Sequence, residues 1–205
     1  MSSPLPTIFI VDDDPAVRKS LSRLLRAALL NVVSFGSPRE FLEQHDARAP
    51  GCLVLDVAMP GLNGLELQEV LAKNGSALPI IFLTGHGDIP MGVQTMKRGA
   101  LDFLTKPVND EDLLKAVRAA LEKDRVARLA RAELAELQAR LDSLTPRERE
   151  VMEHVVSGQI NKQTAADLGT VEKTIKVHRA RVMEKMKVQS LAELVRLAEK
   201  LGIGK

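Results

Sequence analysis

The chain is predicted to fold as an α/β domain with a doubly wound, five-stranded parallel sheet, followed by a linker helix and a small all-α domain. Three observations lead there. Short Val/Ile/Leu-rich runs alternate with amphipathic stretches as far as residue 123. A leucine stripe with heptad-like spacing follows to residue 144. Beyond residue 145 every patterned stretch has helical period. Continuous apolar runs suit strands covered on both faces, and right-handed crossovers make such a sheet parallel. At 205 residues with 45% apolar content, the chain has material for two packed cores.

The elements follow in order. IFIV opens the first strand and PAVRKSLSRLLRAALL the first helix; NVVSF and PREFLEQ make the second pair, CLVL and GLELQEVLAK the third, PIIFL and PMGVQTMKR the fourth, DFL and NDEDLLKAVRAALEK the fifth. Ser37, Pro38 and Glu40 form a capping box with proline at the first helical position, which marks a helix start by mechanism rather than by propensity. From 124 to 144, Ala130, Leu134, Leu137, Leu141 and Leu144 are spaced four, three, four and three apart. Such a stripe either packs on the chain's own domains or joins two copies of the helix. A second capping box, Thr145-Pro146-Arg147-Glu148, sets the domain boundary: residues 1–123, a linker 124–144, and 145–205. PREREVMEHVVSG, the short NKQTAADLG, the basic VEKTIKVHRARVMEKM and SLAELVRLAEKLG complete the chain. A short helix, a glycine-bearing turn and a basic helix is the layout of a helix-turn-helix.

Composition narrows the chemistry. Cys52 is the lone cysteine, so no intrachain disulfide forms, and His45, His86, His154 and His178 lack metal-ligand spacing, which argues against a zinc site. Neither a membrane-length apolar run nor a secretory signal is evident, so a cytoplasmic location is expected. The net charge of +2 hides an asymmetry: residues 1–123 carry −2 and residues 124–205 carry +4, with six Lys/Arg against two acids in 171–187. The second half is the one suited to a polyanion.

Asp12 and Asp13, Asp56, Thr84 and Lys106 each stand directly after a predicted strand. In doubly wound sheets that is the edge where ligands bind. Three converging carboxylates repel one another unless a cation lies between them, and an all-oxygen set favours a hard ion, here Mg²⁺. Asp13 and Asp56 suit direct ligation, with Asp12 acting through water. The Asp56 carboxylate is placed to attack phosphorus and form an aspartyl phosphate, Lys106 to neutralise charge on the transferring group, and Thr84 to donate a hydroxyl. A cis bond at Pro107 would aim Lys106 back at the site. Taken singly, the plain alternatives are a solvated turn and N-cap at Asp12, Asp13 and Asp14, a loop cap at Thr84 and a surface lysine at Lys106.

On the basic helix, Ile175, Val182 and Met186 face inward on a 3.6-residue period, leaving Lys173, Lys176, Val177 and Ala180 opposite. That outer face suits the DNA major groove, with Lys176 donating to guanine acceptors and Val177 touching a thymine methyl, while Lys162, Thr174, Arg179 and Arg181 grip phosphates. The plain alternative is an exposed basic helix.

IVDDD, LDVAMPGLNG, TGHGDIPM and DFLTKP resemble the phosphoacceptor domain of two-component response regulators over residues 7–121. The tail from LTPREREV to VMEKM, about residues 144–203, resembles the output domain of the NarL/FixJ (LuxR-type helix-turn-helix) family, with TGHGDIPM pointing to its FixJ- and StyR-like members. The resemblance implies a flavodoxin-like receiver with strand order 2-1-3-4-5. It makes Asp56 the phosphorylation site, Asp12 and Asp13 the acidic pair, and the Ala58 carbonyl a further metal ligand. Thr84 with Phe103 becomes the conformational switch and Lys106 the phosphate-sensing lysine. It further implies a cognate sensor histidine kinase, promoter DNA, RNA polymerase and a homodimer formed on phosphorylation, in a transcriptional activator that is not a turnover enzyme. Ala58 and His86 flank the site as tuners of phosphoryl lifetime. The chain departs from the pattern at Val171, where the family places a Ser or Thr N-cap, so that either Thr170 caps the helix one residue early or the cap is absent. It departs again at Ala180, where some relatives carry a basic base-reading residue.

Two other readings compete. Asp12 and Asp14 have the Asp-x-Asp spacing of haloacid-dehalogenase-type phosphohydrolases, although such an enzyme has no need of Asp56. An interaction module that has lost specific DNA binding is the second, suggested by Val171 and Ala180.

Overall fold

The computed structural model describes residues 5–46, 49–85 and 99–203. Contacts divide the chain into two compact units, residues 1–127 and 128–205.

In the first unit, strands β1 (Thr7–Val11), β2 (Asn31–Phe35), β3 (Gly51–Asp56), β4 (Ile80–Thr84) and β5 (Asp102–Thr105) form one parallel sheet in the order β2-β1-β3-β4-β5, as the sequence predicts. Because alternate residues of a strand point to opposite faces, the unbroken apolar runs feed two cores. Ile8, Ile10, Val54, Ile81 and Leu83 pack with Leu21 and Leu25 of α1 (Pro15–Ala27) and with Leu113, Val117 and Ala120 of α4 (Asp110–Asp142). Phe9, Val11, Leu53, Leu55 and Phe82 pack on the other face with Phe41 of α2 (Pro38–Gln44) and with Leu67 and Leu71 of α3 (Gly64–Lys73). The expected fourth crossover helix, PMGVQTMKR, lies outside the described residues.

Caps fix three helix starts. Asp14 accepts from the N–H groups of Ala16 and Val17, and Asn63 with Glu66 closes a full capping box on α3. Ser37 accepts from Glu40 N as expected, but the Glu40 carboxylate reaches back to Gly36 N at 2.7 Å. Gly51 is needed where it stands, because at φ 151° an added Cβ would sit 1.8 Å from the Thr7 carbonyl oxygen. Next to it Cys52 is fully buried, and burial, with Asp124 beside it, pushes its thiol up to about 12.

Helix and contacts both run across the expected boundary at 123. A single 33-residue helix, α4, spans what was read as a receiver helix and a separate linker, because no glycine or proline interrupts residues 110–142. The first unit extends to residue 127, and the Asp124 carboxylate, 4% exposed, accepts from Gly51 N at 3.0 Å. Of the leucine stripe, Leu137, Leu141 and Leu144 are buried while Leu134 is exposed.

In the second unit α5 (Pro146–Val156), α6 (Asn161–Asp167), α7 (Glu172–Met186) and α8 (Leu191–Lys200) pack around Leu141, Leu144, Val151, Met152, Val155, Ile175, Val182, Met186 and Leu194. The Thr145–Glu148 capping box closes in both directions. Ser190 caps α8 through Glu193 N. Among the described residues, no helix is long and apolar enough to cross a membrane.

Candidate functional site

At the carboxyl edge of the sheet, β1 delivers Asp12, fully buried, and Asp13, exposed; β3 delivers Asp56, 5% exposed. One carboxylate oxygen from each of the three lies within 4.8 Å of the others. The loop after β5 sends Lys106 across the sheet end, where its ammonium donates to Asp12 Oδ2 at 2.7 Å and lies 2.9 Å from Asp56 Oδ2. Lys106 N donates to the Thr84 carbonyl at 2.7 Å, and the Lys106–Pro107 peptide is cis. Asp12 is held further: its Oδ1 accepts from Asp14 N at 2.9 Å, and its carbonyl from the Arg18 guanidinium at 2.6 Å.

These neighbours set the electrostatics. Burial pushes the Asp56 carboxyl above its ordinary value and the Asp12 charge adds to that, while Lys106 and the Ala58 N–H, 3.4 Å from Oδ1, pull the other way. Burial alone would lower the Lys106 ammonium, but its bonds to Asp12 and Asp56 prevail and hold it above its ordinary value. The lysine therefore stays charged, and the Asp56 carboxylate beside it is more basic than an ordinary one.

Thr84 is 1% exposed at the end of β4, its hydroxyl donating to the Gly85 carbonyl at 3.3 Å. Its partner in register is Thr105, whereas Phe103 lies two residues earlier on β5, opposite Phe82 and half-buried. His86 and residues 90–98 lie outside the described residues. The sequence reading missed Gly64. An added Cβ there would lie 2.3 Å from the Asp56 carbonyl oxygen, so only glycine lets α3 begin this close to the end of β3. The glycines of MPGLNG were the available signal.

In the second unit the inward set Ile175, Val182 and Met186 is buried to 0%, 1% and 0%. Lys173, Lys176, Val177 and Ala180 are exposed as expected, and so are Lys162 and Arg181, with Thr174 half-buried. Arg179 is engaged within the fold, its guanidinium donating to Asn161 Oδ1 at 3.2 Å and tying α7 to the start of α6. Lys176 lies 3.3 Å from Glu172 Oε1. Val171 is the N-cap of α7 with no side-chain capping bond, which settles the question of Thr170: the cap is absent. Also unforeseen is a buried tie at the far end of that helix. Glu148, 2% exposed, accepts at Oε2 from Lys185 Nζ at 2.6 Å and from Thr145 N at 2.8 Å, while Lys185 also donates to the Ser143 carbonyl at 3.0 Å.

Comparison with known proteins agrees in both units. The profile "Response regulator receiver domain" matches residues 8–118, and "Bacterial regulatory proteins, luxR family" matches residues 142–198. Nodulation protein W of Bradyrhizobium diazoefficiens is 51% identical over 96% of this chain and 86% of its own length. Response regulator protein TodT of Pseudomonas putida is 47% identical over 98% and 88%. Among solved structures, response regulator StyR superposes with a TM-score of 0.90 at 46% identity, covering 96% of this chain and 99% of its own.

Proposed function

The chain belongs to the two-component response regulators, with a receiver domain and a LuxR-type DNA-binding domain, and from that premise we propose that Asp56 accepts a phosphoryl group from a sensor histidine kinase and thereby promotes dimerisation and promoter binding. The convergence of Asp12, Asp13, Asp56 and Lys106 at one sheet edge carries the proposal. The phosphohydrolase alternative falls, since the relatives are named as response regulators and transcriptional regulators rather than turnover enzymes.

In the transfer, an Asp56 oxygen bonds to phosphorus as the P–N bond of the donor phosphohistidine breaks, and the freed imidazole nitrogen takes up a proton. Lys106 orients Asp56 beforehand and then neutralises charge on the phosphoryl oxygens. The all-oxygen donor set fits Mg²⁺, with Asp13 and Asp56 as direct ligands, Asp12 acting through water and the Ala58 carbonyl completing the protein's share. When bound, the ion supplies positive charge that offsets the carboxylates and the transferring group.

Thr84 then turns its hydroxyl from the Gly85 carbonyl to a phosphoryl oxygen, and Phe103 moves toward the space released. Pairing with a second copy follows. The free energy comes from contacts that the phosphoryl group makes in one state and not the other. Two copies of α7 then bind paired half-sites, each with Lys173, Lys176, Val177 and Ala180 toward the groove and with Thr174, Arg179 and Arg181, joined by Lys162 of α6, on phosphates. Recruitment of RNA polymerase completes an activator's role.

The test is incubation with Mg²⁺ and acetyl phosphate, Asp56→Asn as control, followed by intact mass, sedimentation and gel shifts on promoter against random DNA. One phosphoryl adduct lost in the variant, with tighter pairing and specific binding, is expected. An adduct that changes neither pairing nor DNA affinity refutes the switch.

A further inference from the structure

We infer that Glu172 determines sequence specificity in α7, acting together with Lys176 to read a G·C base pair and to penalise other sequences. The inference rests on the reading of α7 as the groove helix. Glu172 and Lys176 stand one turn apart on its exposed side, Oε1 to Nζ at 3.3 Å, with side chains 49% and 64% exposed. The other basic residues of the helix differ. Lys185 is tied to Glu148 and Arg179 to Asn161, while Lys173 and Arg181 form no ion pair among the described residues. Among the described residues, only at Lys176 does a groove-facing cation of α7 carry its own carboxylate.

The pairing has a consequence for each class of DNA. Guanine offers O6 and N7 as acceptors in the major groove, and its partner cytosine offers the N4 amino group as donor. A lysine ammonium and a glutamate carboxylate a few ångströms apart match those two edges of one base pair, the lysine donating to guanine and the glutamate accepting from cytosine. Where guanine or thymine takes the cytosine's place the carboxylate is left desolvated against an acceptor or a methyl group, and where adenine does, its N6 amino group can still donate but the lysine meets a thymine methyl in place of guanine N7. On random sequence the same carboxylate lies close to phosphates and repels them, and it neutralises the cation that would otherwise displace a counterion. Glu172 thus weakens non-specific binding and costs little at the cognate pair, which is how discrimination is obtained by repulsion as well as attraction.

The position adds support. Glu172 is the first residue of α7, beside the uncapped Val171, in the segment where a groove helix brings its N-terminal residues to base edges. As an exposed i,i+4 pair it is weak and exchanges readily for DNA contacts.

The experiment uses the full chain, treated with Mg²⁺ and acetyl phosphate, to select duplexes from a randomised pool. Each base pair of the recovered site is then substituted in turn, and wild type is compared with Glu172→Gln across salt. Glu153→Gln, an exposed acid on α5, controls for loss of one negative charge. Wild type is expected to discriminate about five- to a hundred-fold at one G·C pair, and Glu172→Gln to lose that preference there and at no other position. The variant should also bind random duplexes several-fold more tightly, its log–log salt slope steeper by about one. If Glu172→Gln keeps the wild-type preference at every position, or matches Glu153→Gln throughout, the inference is overturned while groove reading by α7 stands. If wild type itself recovers no preferred sequence, both are overturned.

Discussion

Replacing Glu148 by glutamine tests the buried tie at the end of the recognition helix. The carboxylate accepts two short bonds, from Lys185 Nζ and Thr145 N, and is 2% exposed. Hydrogen bonds to a charged group contribute about 1.5–3 kcal/mol. Glutamine keeps an acceptor for Thr145 N, and Lys185, 34% exposed, can turn to water, so the loss belongs near the lower end, about 2 kcal/mol. For a unit of this size that corresponds to a drop in Tm of roughly 8–16 °C. The acid dependence gives a second reading. Lys185 and the Thr145 amide hold the Glu148 carboxyl down at about 2, against an ordinary 4.5. A depressed carboxyl stabilises the fold above its unfolded pKa and ceases to do so as pH falls through its folded one. The gap between wild type and Glu148→Gln should therefore be full at pH 7, begin to close below about 4.5 and be largely gone near 2. The chain has no Trp or Tyr, so calorimetry is the assay of choice. A gap that is the same at pH 7 and pH 3, or no gap at pH 7, would refute the reasoning.

Lys106→Met leaves Asp12 and Asp56 facing each other without the ammonium, and metal-free protein should lose about 3 kcal/mol, recovered in part by millimolar Mg²⁺ in parallel urea melts. Gly64→Ala forces a methyl against the Asp56 carbonyl; about 1–3 kcal/mol of destabilisation and a slower yield of phosphoryl adduct are expected, and wild-type behaviour in both would contradict the packing. Val171→Ser supplies the absent cap, and a rise of about 1 kcal/mol in calorimetric stability of the second unit is expected.

The acidic cluster was legible because each of its residues closes an apolar run: once IFIV, CLVL, PIIFL and DFL are strands of one parallel sheet, Asp12, Asp56, Thr84 and Lys106 share an edge. The inward face of α7 was legible through its period, which Ile175, Val182 and Met186 obey. Pairings set by tertiary packing left no local trace. Glu148 and Lys185 are 37 residues apart, and Gly51 and Asp124 are 73 apart. In sequence Asp124 reads as one more polar residue of a helix. The change of pattern after residue 123 was real in composition, but composition changes do not break a helix that lacks glycine and proline.

Cys52 has a practical consequence. The chain carries one thiol, at the base of β3 beside the Gly51–Asp124 bond, sealed from solvent and pushed up to about 12. Thiolate is the reactive form, so alkylating agents meet almost none of it while the sheet is closed. Labelling then proceeds only through openings of this part of the receiver, and its rate becomes an internal clock for them. Run with and without acetyl phosphate, the same clock measures whether modification at Asp56, on the opposite end of the strand, loosens or tightens the base of the sheet.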